Sequence, residues 1–292
     1  MNNTSSHYYH CASKGFDHCI LFANDREFIA GMNRIALCRS RIAEVIVLAF
    51  CLMDNHVHFI LYGTKEACLR WMRLYQKLTM MWLRHHREGN PVDEPWECDA
   101  WQIYDEEDLK QKIVYVFRNP TVARMGFVPG GYRWSSARFV FTDAGSELGA
   151  GRRLGTLSSY ENRKLFETRI DLPADWTLLP NGLIWPGNYT ETGRVEKLFG
   201  HPWNYLFCLN QNVESEINRQ MYKDKLSLPD QDVAAIAREL SDSMFGSRDI
   251  SSLDLQSRLH LCKLVKKKTG ASLKQLARIV RLPLADLKMI FD

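Results

Sequence analysis

Two histidines separated by a single residue, His56 and His58, are the side chains in this sequence best spaced for chemistry. In an extended strand alternate residues share a face. Both imidazoles would therefore project to one side, with Val57 turned into the core. Two imidazoles so placed can chelate one divalent cation. The plainer alternative is a pair of half-exposed strand histidines with no catalytic part. Tyr115 and Asn119 form a second pair, four residues apart in a stretch of helical character, hence stacked on one helix face. Asn119 could lend its amide oxygen to such an ion, and Tyr115 could bring its phenol beside it. A free tyrosine titrates at about pH 10 and is a weak nucleophile. A metal-polarised phosphodiester is what would make it useful. Here too there is a plainer alternative, an amphipathic helix with a half-buried tyrosine and an asparagine near its end.

The elements that must position these residues can be read from the pattern. Residues 7–13 suit a first strand, and Asp25 an N-cap for a helix over about 26–41. The nearly continuous apolar run 44–53 reads as a buried strand. Asp54-Asn55 is turn chemistry, and 56–63 reads as the antiparallel return strand. A long helix follows over 65–87, stopped by Gly89-Asn90-Pro91. Residues 101–104 suit a short fourth strand. Asp105 then caps a helix that runs to Asn119 and is ended by Pro120. The order β-α-β-β-α-β-α predicts an α+β fold, a ferredoxin-like antiparallel sheet covered by helices. Three regions are expected: 1–145 carrying this sheet, an irregular connection over 146–230 to which no chemistry can be assigned, and a mostly helical region over 231–292.

Four blocks within this pattern resemble a known family. Met53-Asp54-Asn55-His56-Val57-His58-Phe59 resembles the M-x-N-H-V-H-F signature of single-tyrosine HUH transposases, in which HUH denotes histidine, hydrophobe, histidine. Tyr115-Val116-Phe117-Arg118-Asn119-Pro120, continuing through Arg124, Gly126 and Val128, is similar to their Y-I-x-x-N-P-V-R-A-G-L-V block. Trp134-Ser135-Ser136-Ala137-Arg138 is similar to the W-S-S-[YA]-R that follows, and Tyr9-His10 with Lys14-Gly15 to the Y-H-V-T-x-R-G opening. The order is the family's, and the resemblance is greatest to REP-associated tyrosine transposases. It covers about residues 8–140.

The resemblance implies an activity. His56, His58 and Asn119 would hold Mg2+ or Mn2+, and Tyr115 would attack a phosphodiester of single-stranded or hairpin DNA, leaving a 5′-phosphotyrosine and a free 3′-OH. The sequence departs from the family where an aromatic and basic segment is usual. Here that stretch is the acidic Glu94-Pro95-Trp96-Glu97-Cys98-Asp99. Two other classes compete: a domesticated DNA-binding regulator that keeps the fold without catalysis, and a phosphoesterase that uses histidines without a covalent tyrosine. The second needs another histidine motif in a matching strand, for which His7 and His10 are the nearby candidates.

DNA contacts are expected from two places. On the long helix, Arg70, Arg73, Lys77 and Arg84 recur at helical spacing, a stripe able to follow a phosphate backbone, with Trp71 and Trp82 available to stack bases. His85 and His86 read as solvated helix-end residues. The C-terminal segment resembles a helix-turn-helix, with Lys274, Arg278 and Arg281 on or beside its first helix and Leu282 in the turn. Charge supports this emphasis. The chain's +4 divides into +1 over 1–145, −3 over 146–247 and +6 over 248–292, so a bland total conceals a basic tail.

Composition narrows the setting. With 46% hydrophobic and 25% charged residues, the chain has the make-up of a soluble globular protein rather than a disordered or fibrous one. Eight scattered cysteines with no Cys-x-x-Cys pair argue against a structural zinc site and for small buried side chains. No apolar run is long enough to span a bilayer, and the N-terminus lacks signal-peptide character, so a cytoplasmic location with no membrane partner is expected. A monomer and a homodimer are equally compatible with the sequence.

Overall fold

In the computed structural model the described residues from His7 to Val122 build a four-stranded antiparallel sheet with helices on both faces. The structure describes residues 5–13, 20–87, 96–123, 128, 130–142, 150–211, 228 and 230–291. The elements are β1 (His7–Ser13), α1 (Asp25–Arg41), β2 (Ile46–Leu52), β3 (Val57–Gly63), α2 (Lys65–His86), β4 (Cys98–Ile103) and α3 (Glu106–Val122). The strands pair in the order β2-β3-β1-β4. Register places Ala12 and Cys51 beside His58, and Ile60 and Trp101 beside His10. Side chains alternate across the sheet, so His10 and His58 share one face while Cys11 and Phe59 share the other.

Each face is covered for a readable reason. Phe59 packs against Trp71 and Tyr75 of α2, with ring centroids 5.0 Å away in both cases. Helices α1 and α2 therefore lie together on the face that turns away from the histidines. All three aromatic side chains are fully buried, and burial of a side chain such as Phe59 contributes roughly 1.5–3 kcal/mol. Helix α3 packs on β2 and β3 from the other side. Strand β2, covered on both faces, is the nearly continuous apolar run. Its outer edge is closed by the 134–136 segment. Leu52 N donates to the Trp134 carbonyl (2.9 Å), Phe50 N to Ser136 Oγ (2.9 Å), and Ser135 Oγ to the Phe50 carbonyl (3.1 Å). An exposed edge that would invite pairing with another chain is thereby satisfied.

Several boundaries differ from expectation. Asn24, not Asp25, caps α1, its side chain accepting from Glu27 N. Strand β4 begins at Cys98, because the backbone of 98–100 pairs with 11–13 although those side chains have little β preference. Helix α3 runs through Pro120 to Val122. A proline removes only one backbone donor, and so near the helix end the loss is small.

Beyond residue 150 the chain returns to the first core. The two-residue strands β5 (Arg152–Arg153) and β6 (Thr177–Leu178) and the helices α4 (Ser159–Phe166), α5 (Thr192–Phe199) and α6 (Pro202–Asn210) bury Leu154, Phe166, Ile184, Tyr189, Val195, Tyr205 and Leu209 within it. Four further helices form a helical C-terminal region: α7 (Asp230–Phe245), α8 (Leu255–Thr269), α9 (Leu273–Val280) and α10 (Leu284–Phe291). They enclose a second core around Leu261, Val265, Leu276 and Leu287, into which Ile20 of the first half also packs. None of the described helices is long and apolar enough to cross a membrane. Among the described cysteines all are free, and Cys11, Cys38, Cys51, Cys68 and Cys262 are buried.

Candidate active site

The sheet and α3 bring the two sequence pairs together. His58 stands in β3 facing α3, and His56 lies immediately before the strand, with its ring edge-on to His58 at 4.7 Å between centroids. Tyr115 reaches in from α3. Its ring meets His58 edge-on at 5.6 Å, while half of its side chain remains exposed. Asn119, one turn later, donates from Nδ2 to the Tyr115 carbonyl at 3.0 Å. Its carboxamide also meets both His56 and His58 and favours their protonated forms, as an acceptor oxygen does.

A third histidine completes the group. His10, in the neighbouring strand β1, has Nε2 3.1 Å from His58 Nδ1, with the two rings stacked. It also meets Tyr115 edge-on at 5.6 Å and Trp101 at 5.5 Å. In the sequence His10 stands in the opening block of the resemblance and as a candidate for a rival chemistry, not as a member of this group. The available signal was its parity: positions 10 and 58 share a face once β1 and β3 pair.

For His56 a hydrogen bond fixes which nitrogen is free. An amide oxygen only accepts, so the 2.8 Å contact of His56 Nδ1 with Asn55 Oδ1 places the proton on Nδ1 and leaves the Nε2 lone pair open. His58 likewise has Nδ1 engaged, by His10. Imidazoles that hold a metal through one nitrogen commonly fix the other in this way. Burial keeps the rings neutral. It lowers His56 to about 4 and, with Lys112 adding repulsion, His10 to about 4, and it pushes His58 well below the usual imidazole range. With His58 donating from Nδ1 to His10, the two Nε2 lone pairs and the Asn119 carboxamide oxygen make a donor set able to receive a divalent cation.

The expected binding residues divide. Arg70, Arg73, Lys77 and Arg84 are exposed on α2, which lies across the sheet from the histidines, and Arg70 is ion-paired with Glu44. Trp71 and Trp82 are buried at 0% and 8% exposure, so they cannot stack on bases. The exposed aromatic side chains nearer the site are Trp101 and Tyr104. In the tail, Lys274 is exposed, but Arg278 is not available to a partner: its Nε and a terminal nitrogen both lie 2.6 Å from Asp230 Oδ2, with both side chains buried. Arg281 occupies the left-handed cap of α9, at φ 55°, and its carbonyl accepts from Arg258.

Two features were not legible. Asp230 N donates to Asp54 Oδ2 at 2.9 Å, which ties the start of α7 to the residue two before His56. Away from the site, His85, His86 and Glu167 gather with ligand atoms within 4.8 Å, and His86 Nε2 lies 2.9 Å from the Glu167 carboxylate. No protein-family model, curated protein or solved structure matches the chain. The site's own chemistry must carry the assignment.

Proposed function

We propose that this protein is a metal-dependent DNA nickase and strand transferase of the single-tyrosine HUH type, acting on single-stranded or hairpin DNA. The reading rests above all on one observation: Tyr115 and Asn119 of α3 converge on His56 and His58 of the sheet, with His10 behind them. The phenol of Tyr115 loses its proton, its oxygen bonds to phosphorus, and the 3′ oxygen leaves as a hydroxyl, taking a proton from solvent. One phosphodiester is exchanged for another of similar energy, so a different 3′-OH can reverse the step and join a new strand. His56 and His58 through Nε2 and Asn119 through Oδ1 would hold the cation. A bound ion would withdraw charge from the phosphate oxygens. Two nitrogen donors and one oxygen suit Mn2+ better than Mg2+, which prefers an all-oxygen shell.

The His10 contact bears on the phosphoesterase alternative. Its Nε2 is committed to His58 Nδ1, so the pair forms one hydrogen-bonded unit rather than two independent proton carriers. Free thiols and the lack of a spanning helix among the described residues fit action in the cytoplasm. The test is incubation with labelled hairpin oligonucleotides and Mn2+, followed by a denaturing gel. A covalent adduct lost in Tyr115→Phe supports the proposal. Cleavage that survives the substitution favours a phosphoesterase, and binding without cleavage under any divalent ion favours a regulator.

A further inference from the structure

Helix α6 gives the region 150–211 a surface that the fold does not use. Its inner side buries Tyr205 and Leu209, and Tyr205 Oη donates to the Ala137 carbonyl at 2.8 Å. Its outer side leaves Trp203 75% and Phe207 65% exposed, four residues apart and hence on one face. Contiguous exposed apolar side chains of this size mark interaction sites on folded proteins.

This face adjoins the site. A groove of about 820 Å³ runs between α3 and α6, and Tyr115 and Asn119 line it together with Phe207, Gln111, Asn204 and Lys110. The two walls are clamped together. The Arg118 guanidinium, on α3 one turn beyond Tyr115, donates to the carbonyls of Cys208, Leu209 and Gln211 at the end of α6. A cation at a helix C-terminus is favourably placed against the helix dipole. The groove is thus a fixed extension of the helix that carries the phenol.

We propose that this groove binds the unpaired nucleotides next to the cleaved phosphate, with one base stacked on Phe207 in the groove, the next on Trp203, one turn back along α6 and outside the groove's lining, and base edges read by side-chain amides. The inference rests on the function proposed above and adds the substrate's position. A strand whose phosphorus lies at Tyr115 must leave the site in some direction, and this channel opens from that residue. The lining suits such a ligand. An aromatic face stacks any base, the amides of Gln111 and Asn204 each keep a carbonyl oxygen and one N–H beyond their bonds to Glu107 and the Phe199 carbonyl, and Lys110, beside Glu107, meets the backbone charge.

The experiment is equilibrium anisotropy with a fluorescent hairpin oligonucleotide carrying a randomised single-stranded flank, in a full-length Tyr115→Phe background that leaves the strand intact. Phe207→Ala should weaken binding roughly five- to hundredfold, the loss expected for one base–aromatic stack. Phe207→Tyr should restore it, and intrinsic tryptophan emission should be quenched by the flanked hairpin more than by a blunt one, a difference that Trp203→Ala should abolish. Unchanged affinity in both Phe207→Ala and Trp203→Ala, with tight binding by the parent, would overturn the groove and leave the nickase reading intact. Unchanged affinity accompanied by a shift in sedimentation mass would overturn it in favour of a second copy seated on α6. No binding by the parent would overturn both.

Discussion

Arg278→Met should destabilise the C-terminal helices while barely touching DNA contacts. Arg278 and Asp230 pair at 2.6 Å with side chains 9% and 3% exposed, so the substitution strands a carboxylate in the interior. Removing one partner of a buried pair costs about 3–5 kcal/mol, because the remaining charge has lost both water and its counter-ion. For a chain of this size each kcal/mol lowers the melting temperature by roughly 2–4 °C, which predicts a drop of about 6–20 °C. Asp230→Leu combined with Arg278→Met should recover most of the loss, since an apolar pair of similar volume needs no solvation. The assay is urea and thermal unfolding of the full-length variants, with oligonucleotide affinity measured beside it at one salt concentration. A loss of stability below about 1 kcal/mol together with a clear fall in affinity would refute the argument. The guanidinium would then be a DNA contact.

His10→Ala should weaken Mn2+ binding about 10- to 100-fold by titration calorimetry, through loss of the group that fixes the His58 ring, whereas a change under twofold would remove that role. Stability should fall as pH drops from about 6.5 towards 4. His10 and His56 titrate near 4 when folded and near 6.5 when unfolded, so the unfolded chain binds more protons in that window. Asp54, raised to about 7 by burial and by Asp230, acts in the opposite sense, losing stability as pH rises from about 4 to 7, and Asp54→Asn should steepen the acid-side dependence. Replacing the exposed Lys263, Lys267, Lys268 and Lys274 by Gln should flatten the salt dependence of DNA affinity without altering adduct yield at saturating DNA. An unchanged slope would mean that the tail only packs.

The elements around the site were legible because their patterns are local. Alternation, an Asp-Asn turn and an Asp105 cap need only neighbouring residues to be recognised. What escaped depends on distant pairing. His10 joins His58 only because β1 is inserted between β3 and β4. Arg278 looks like a surface cation in an eight-residue helix, yet that helix is enclosed by α7, α8 and α10, and every residue from 275 to 280 is buried. Trp71 and Trp82 occupy the face of α2 that the sheet and α1 cover, so an aromatic side chain beside a basic stripe turned inward. The Trp203 and Phe207 face was invisible for a related reason. Nothing in 202–210 shows which half of an apolar helix another helix will cover.

The most direct measurement of the central claim is the mass of Tyr115 after reaction. The protein should be incubated with a single-stranded hairpin substrate and Mn2+, digested with protease and nuclease, and the 106–122 helix peptide weighed by mass spectrometry. The account predicts a nucleotide joined through phosphate to Tyr115, absent without divalent ion and absent in His58→Ala. Cleaved DNA with an unmodified Tyr115 would contradict it.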